Sequence, residues 1–211
     1  HRIKNASITI DEVCISEYDI TFLKNNIVVV FDDNFYHCDY VAEELYYYLR
    51  QLGYRIDEIT KKIEVISKVF RIEDMLDIRI DMLSVEHRIL VKILSYLIIK
   101  PKIFALDNLF GYLSEKRIQE IIKYCRNNQI SLIFATSKSD ELLLSDEVII
   151  MHNYKAILCA DVKSVLNGNT ILPYMGIKLP FIVDLSHNLI LYELVDKIYY
   201  DKRKLVDKLW K

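Results

Sequence analysis

The apolar positions of the chain follow two periods. Short unbroken runs at 27–31 (IVVVF), 103–106 (IFAL) and 132–135 (LIFA) are too short for helices, and polar residues cut each one off. Such runs predict fully buried parallel strands whose carboxyl ends deliver polar groups to a site. Residues 6–10 alternate instead, with Ala6, Ile8 and Ile10 on one side and Ser7 and Thr9 on the other. That pattern predicts a half-buried antiparallel strand. Two more strands are expected at 148–151 and 156–159. Helical spacing puts Val41, Leu45, Leu49 and Leu52 on one face, ended by Gly53, and Ile59, Ile63, Ile66 and Phe70 on another. A third, short helix is expected over 72–78. Ser84 suits an N-cap, before a helix that buries Ile89, Leu90, Ile93, Leu94 and Leu97. A further helix turns Ile118, Ile121, Ile122 and Cys125 inward.

Helices alternating with short buried strands imply an α/β layer with a mainly parallel sheet and flanking helices. The pattern divides the chain into strands at 1–35, an inserted helical subdomain at 36–82, an α/β core at 83–166 and a helical extension at 167–211. In that extension Pro173, Gly176 and Pro180 punctuate short helices. The last helix carries Leu205, Val206, Leu209 and Trp210 on one face, and Phe181, Leu185 and Leu189 mark an earlier apolar face.

Composition narrows the picture further. With 28 basic and 30 acidic residues the net charge is −2, which gives no reason to expect nucleic acid. The run 201–204 (DKRK) reads as the solvated start of a helix. Cys14, Cys38, Cys125 and Cys159 form no C-x-x-C pair, so neither a metal site nor a disulfide framework is expected. They read as small, mostly buried thiols in a reducing cytoplasm. No apolar stretch approaches the ~20 residues needed to cross a bilayer. The chain begins with His1 and shows no signal peptide, so it reads as a fragment. The 15 tyrosines read as compositional bias.

The order of these segments is specific. A strand VVVF, a helical insertion, LSVEH opening a helix, PKIFALDN, SLIFATSKSD and SDEVIIM together resemble an ABC-type ATPase domain. The tail from Gly176 onward (GIKLPFIVDLSHNLILYELVDKIYYDKRKLVDKLWK) is similar to the C-terminal extension of the ATPase subunits of energy-coupling factor (ECF) transporters, which take up vitamins and metal ions. The resemblance covers roughly residues 5–211. It implies ATP and Mg as cofactors, a second ATPase subunit and a transmembrane scaffold as partners, and a place at the inner face of the membrane. It also implies that a coupling helix of the scaffold meets the helical subdomain near Phe35, Tyr36 and Tyr40.

Mapped onto the family's motifs, the residues have changed. No phosphate-binding loop G-x-x-x-x-G-K-S/T stands in the sequence, and Gly53, Gly111, Gly168 and Gly176 are unclustered. In the family that loop would lie upstream of His1. Asp32 stands at the position of the metal-sensing glutamine. The signature LSGGQ is Leu83-Ser84-Val85-Glu86-His87, so a carboxylate sits where backbone N–H groups would meet a γ-phosphate. Asp107 matches the metal-holding aspartate, Asn108 replaces the catalytic glutamate, Ser114 the D-loop aspartate and Ser137 the switch histidine. Asp107 and Asp32 are therefore the candidate Mg ligands. Ser84, Glu86 and Ser114 mark the altered nucleotide contacts. Asn108 and Ser137 occupy the catalytic positions. Three readings follow: a degenerate ABC-type subunit of an ECF-like transporter, an ABC-like interaction protein without a transporter, or an active ATPase whose loop lies upstream.

Overall fold

The computed structural model describes residues 8–10, 12–33, 35–167 and 171–210. The chain forms two compact units, His1–Ala135 and Thr136–Lys211.

The first unit opens with a small antiparallel pair, β1 (Thr9–Ile10) and β2 (Val13–Cys14). The expected alternating strand is thus present as a two-residue segment, while Ala6 lies outside the described residues. Helix α1 (Ile20–Asn26) follows, capped by Asp19, whose side chain accepts from the Thr21 N–H. It runs straight into β3 (Ile27–Val30). The helical segment comprises α2 (Val41–Gln51) and α3 (Ile56–Phe70). Val41, Leu45, Leu49, Ile59 and Phe70 are fully buried, as their spacing predicts. Gly53, at φ +84°, takes the left-handed conformation that stops α2. Residues 72–78 do not form the expected third helix. They make a single 3-10 turn, Glu73–Met75, and a second turn follows at Ile80–Met82. Their backbone is used elsewhere: the Leu76 and Ile78 carbonyls accept from the Ala42 and Val41 N–H groups at the start of α2.

Helix α4 (Val85–Leu97), strand β4 (Ile103–Asp107), helix α5 (Glu115–Asn127) and strand β5 (Ser131–Ala135) complete this unit. The sheet is parallel, in the order β3-β4-β5. Val30 faces Leu106, and Asp107 faces Ala135. One expectation needs correcting, since the strands are not buried on both faces. Val28, Val30, Phe104 and Leu106 are buried, whereas Val29 and Ile133 on the opposite face are about half exposed, at 48% and 57%. Helices α4 and α5 pack against β3 and β5 on one side. A run of apolar residues cannot reveal that only one face of a strand is covered.

In the second unit β6 (Glu147–His152) and β7 (Lys155–Asp161) pair antiparallel with each other. They form a hairpin sheet of their own rather than continuing the run of parallel strands. Asn153 and Tyr154 both have positive φ, at 48° and 62°, which suits a two-residue turn between twisted strands. Helices α6 (Val162–Asn167), α7 (Ile171–Tyr174), α8 (Phe181–Leu191) and α9 (Lys202–Leu209) follow. Val148, Ile150, Val165, Leu166, Val183 and Leu205 anchor the core of this unit. Helix α8 buries Ile182, Val183 and Ser186; of its expected apolar face, Leu185 and Leu189 pack partly buried against the core and Phe181 is exposed. In α9 only Leu205 is buried; Val206, Leu209 and Trp210 are exposed. Asp201 caps this helix, and the basic residues after it are solvated as expected.

Of the cysteines only Cys125 is buried, so the expectation of mostly buried thiols fails for the other three. Burial pushes the Cys125 thiol and the Tyr124 hydroxyl each up to about 12. Both groups are neutral in the fold and ionise more readily once unfolded. Their contribution is complete below the ordinary thiol value of 9.0 and is lost as pH rises toward 12. Denaturant midpoints followed by circular dichroism should therefore begin to fall near pH 9.0. In Cys125→Ala that onset should move up toward 10, the ordinary value for Tyr124.

Candidate functional site

Parallel strands present their carboxyl ends together, and here those ends carry the residues singled out by sequence. Asp32 and Asp33 follow β3, Asp107 closes β4, and Asn108 leaves it with φ 57°. The Asn108 N–H donates to the Ala135 carbonyl at 3.1 Å, tying the end of β4 to the end of β5. Asparagine tolerates the left-handed region better than most residues, so this position has a local backbone reason for its side chain.

Most polar groups at this edge already have partners within the first unit. The Tyr112 hydroxyl, in a 3-10 turn at Phe110–Tyr112, donates to Asp32 Oδ2 at 2.7 Å. The neighbouring carboxylate raises the Tyr112 hydroxyl above its usual range. Lys92 of α4 is buried, and its Nζ donates to both the carboxylate and the carbonyl of Asp33. That contact holds the Asp33 carboxyl below the usual carboxylate range. The same ammonium lies 5.4 Å from the centroid of the Tyr36 ring. Burial pushes the Tyr36 hydroxyl up to about 12.

Residues 83–87, which the resemblance sets at the signature position, open α4. Ser84 is its N-cap and accepts from the His87 N–H at 3.3 Å, as the sequence suggests. Glu86, in the first turn of α4, accepts from the Ser114 N–H at 2.8 Å. Ser114 is the N-cap residue of α5, so one carboxylate serves the N-termini of two helices. That hydrogen bond holds the Glu86 carboxyl below its usual range. Val85, exposed at 50%, begins the helix beside it. Ser137 falls in the second unit as an exposed residue after β5; beside it the Thr136 hydroxyl accepts from the Lys138 N–H at 2.9 Å.

Sequence reasoning did not single out Lys92, Tyr112 or Arg117. Arg117 of α5 donates to the Phe70 carbonyl at the end of α3, at 2.6 Å, and to Glu120 at 2.8 Å. Lys92 does carry a signal, being the one charged residue within the apolar stretch 89–94 (ILVKIL). Tyr112 carries none, because its partner is 80 residues away in sequence. Among the described residues no group of three or more His, Cys, Asp or Glu side chains is arranged to hold a metal ion. None of their helices is long and apolar enough to cross a membrane.

The groove of the helical segment is a separate feature. Cys38, Ala42, Glu43, Tyr46, Tyr47 and Ile63 line a cavity of about 450 Å³ between α2 and α3. Phe35 and Tyr40 are exposed and Tyr36 is half-buried, but none of these three lines the cavity.

With this geometry in view, the comparisons with known proteins can be placed. No family model matches the chain. The cbiO1 protein of Clostridium perfringens, described as part of the ABC transporter complex cbiONQ, superposes with a TM-score of 0.66. It is 25% identical, over 85% of this chain and 75% of that one. The parallel sheet with flanking helices is the fold of an ABC-type ATPase. Within that class the chain resembles the ATP-binding subunits of energy-coupling factor transporters. The protein EcfA1 of Mesomycoplasma hyopneumoniae (strain 7448) is 26% identical over 99% of this chain and 77% of its own length. The protein EcfA of Pediococcus pentosaceus is 28% identical over 82% of this chain and 64% of its own length.

Removing the Glu86 carboxylate should expose the cost of an uncapped helix start. Glu86→Ala is expected to lower the stability of the chain by about 1 kcal/mol, the scale of a lost capping interaction. Because the folded carboxyl is held below its ordinary value of 4.5, the parent loses this contribution as pH falls below that value. Denaturation curves of both proteins at neutral pH and in acid should therefore converge in acid. A constant gap would show that the carboxylate charge is not what Glu86 contributes.

Proposed function

We propose that the chain is a degenerate ABC-type ATP-binding subunit of an ECF-like membrane transporter. It acts in dimerisation and in coupling to the transmembrane component rather than in hydrolysis. The observation that carries this reading is Glu86: the carboxylate at the signature position is bonded to the Ser114 amide. It puts negative charge in the first turn of α4, where the resembled signature would meet a phosphate, and it engages the amide that opens α5.

The rest of the strand-end edge supports the same reading. Mg-ATP needs a cradle of backbone N–H groups, carboxylate or hydroxyl ligands free for the metal, and a base near the attacking water. Asp32 is engaged by Tyr112, and an amide stands at Asn108. Asp107 is exposed at the end of β4 and is the one residue of the expected metal pair whose type matches the motif. These residues do not fit Mg-ATP as a set, so the chain is read as contributing no hydrolytic step of its own.

Partner contact has surface to support it. The second unit exposes Leu191 (79%), Tyr192 (76%) and Trp210 (85%), with Val206 and Leu209 nearby in sequence. Large exposed apolar side chains grouped in one tail are suited to a protein interface. We assign this tail to pairing with a second ATPase subunit. The apolar cavity between α2 and α3, with exposed Phe35 and Tyr40 in the preceding segment, is assigned to the membrane component. The chain would then sit peripherally at the inner face of the membrane.

Two measurements test this reading. Calorimetry and phosphate-release assays are expected to detect neither ATP binding nor turnover by the chain, with or without Mg. Asn108→Glu should not create turnover, and glutamate in the left-handed conformation of residue 108 should cost about 1 kcal/mol in stability. Magnesium-dependent turnover in that variant would favour the active-ATPase reading. For pairing, the triple change Leu191→Lys, Leu209→Lys, Trp210→Ala alters only exposed side chains. It is expected to abolish co-purification with an ECF-type ATPase subunit while leaving the melting temperature unchanged. Undiminished pairing would move the interface away from the tail.

A further inference from the structure

The stretch between β3 and α2 links the sheet to the helical segment, and side chains from both sides hold it. From the sheet side, Tyr112 holds Asp32 at 2.7 Å, and buried Lys92 holds both the carboxylate and the carbonyl of Asp33. From the helical side, the Glu44 carboxylate of α2 accepts from the His37 N–H at 2.8 Å and the Cys38 N–H at 3.0 Å. Glu44 is itself buried. The His37 ring stacks on Tyr47 at 4.2 Å, and its edge meets Phe35. At the far end of the helical segment, Arg117 of α5 holds the Phe70 carbonyl that closes α3.

We propose that this linker is a fixed strut, and that the helical segment α2–α3 is held in one position against the sheet by these side chains, with no bound ligand required. The inference goes beyond the proposed function and does not depend on it, because every tie lies within the first unit. A hinge needs polar groups that can change partners as it moves. Here the groups on both sides of the linker already have partners, and two of them, Lys92 and Glu44, are buried. A buried ammonium that loses Asp33 would be left uncompensated, so rotation of the linker is opposed at its most desolvated point. The ring stack adds packing that a turning linker would have to break.

Amide hydrogen exchange on the full chain tests the strut. In the parent, amides of His37 and Cys38 should exchange slowly for a loop. In the double variant Lys92→Met, Tyr112→Phe, exchange across 32–33 and 35–38 should rise by about tenfold or more. Amides of β6 and β7 should be unchanged, as a control that the second unit stays folded. Methionine fills the space of the lysine stem, and Asp33 is free to turn to solvent, since its side chain is 57% exposed. Should the double variant not fold, Tyr112→Phe alone removes one exposed hydroxyl and should still raise exchange at 32–33 and 35–38 several-fold. Linker amides that exchange freely in the parent, or that keep their protection in the variants, would overturn the proposal. ATP binding by the parent with linker protection intact would support the strut, even though it would remove the reading of an inert site.

Discussion

The central place of β4 in a three-stranded parallel sheet is the constraint on which the first unit depends. Parallel pairing fixes direction as well as neighbour, so the carboxyl ends of β3, β4 and β5 must emerge along one edge. Whatever polar residues follow those strands are thereby gathered, wherever they stand in sequence. Asp32 and Asp33, then Asp107 and Asn108, come from parts of the chain more than 70 residues apart. The gathered groups are exposed, so water can satisfy them and other groups compete for that role. In an enzyme a ligand can supply part of that satisfaction. In this chain Tyr112 does so for Asp32 and Lys92 for Asp33.

Helix α4 organises this supply. Its first turn carries Ser84 and Glu86, and its third turn carries Lys92. Its apolar residues Leu90, Val91, Ile93, Leu94 and Leu97 are almost fully buried, which fixes the helix rigidly between the sheet and the helical segment. A rigid helix can place a carboxylate at one end and an ammonium in the middle without further support. The two polar ties then reach opposite elements: Glu86 reaches the start of α5, and Lys92 reaches the linker after β3. One packed helix thereby carries both a tie to the start of α5 and a tie to the linker.

What the sequence made legible follows from what periodicity can report. Positions inside strands and helices were readable because a buried face repeats every two residues in a strand and every three or four in a helix. Hence Val41, Leu45 and Leu49, or Ile118, Ile121 and Cys125, could be placed inward from sequence alone. Coverage of the second face of a sheet leaves no such trace, and Val29 and Ile133 were misread for that reason. Pairing direction leaves little trace either. The β6–β7 hairpin turns on Asn153-Tyr154, which lacks the glycine that usually marks such a turn. The altered motif positions were legible through resemblance, but their partners were not. Glu86 reads as an anion out of place until the Ser114 amide is seen beside it, 28 residues away.

The division between buried and exposed positions also sets where the chain can vary without losing its fold. Asp32, Ser84, Asp107, Asn108, Ser114 and Ser137 are all exposed, and Glu86 is half-buried. Substitution at exposed positions costs little packing energy, so these residues can change without disturbing the core. The buried set of the first unit, including Val30, Leu45, Phe70, Leu94, Phe104 and Leu106, has no such freedom, since losing a large core side chain costs ~2–5 kcal/mol. A chain about one quarter identical to ECF-type relatives can therefore keep their fold along most of its length. Its strand-end edge follows a different rule. On the proposed reading, a nucleotide at this edge would have to displace the Glu86–Ser114 and Asp32–Tyr112 contacts. On that reading, replacing Asn108 alone would leave both of those contacts in place, which is why it is not expected to create turnover.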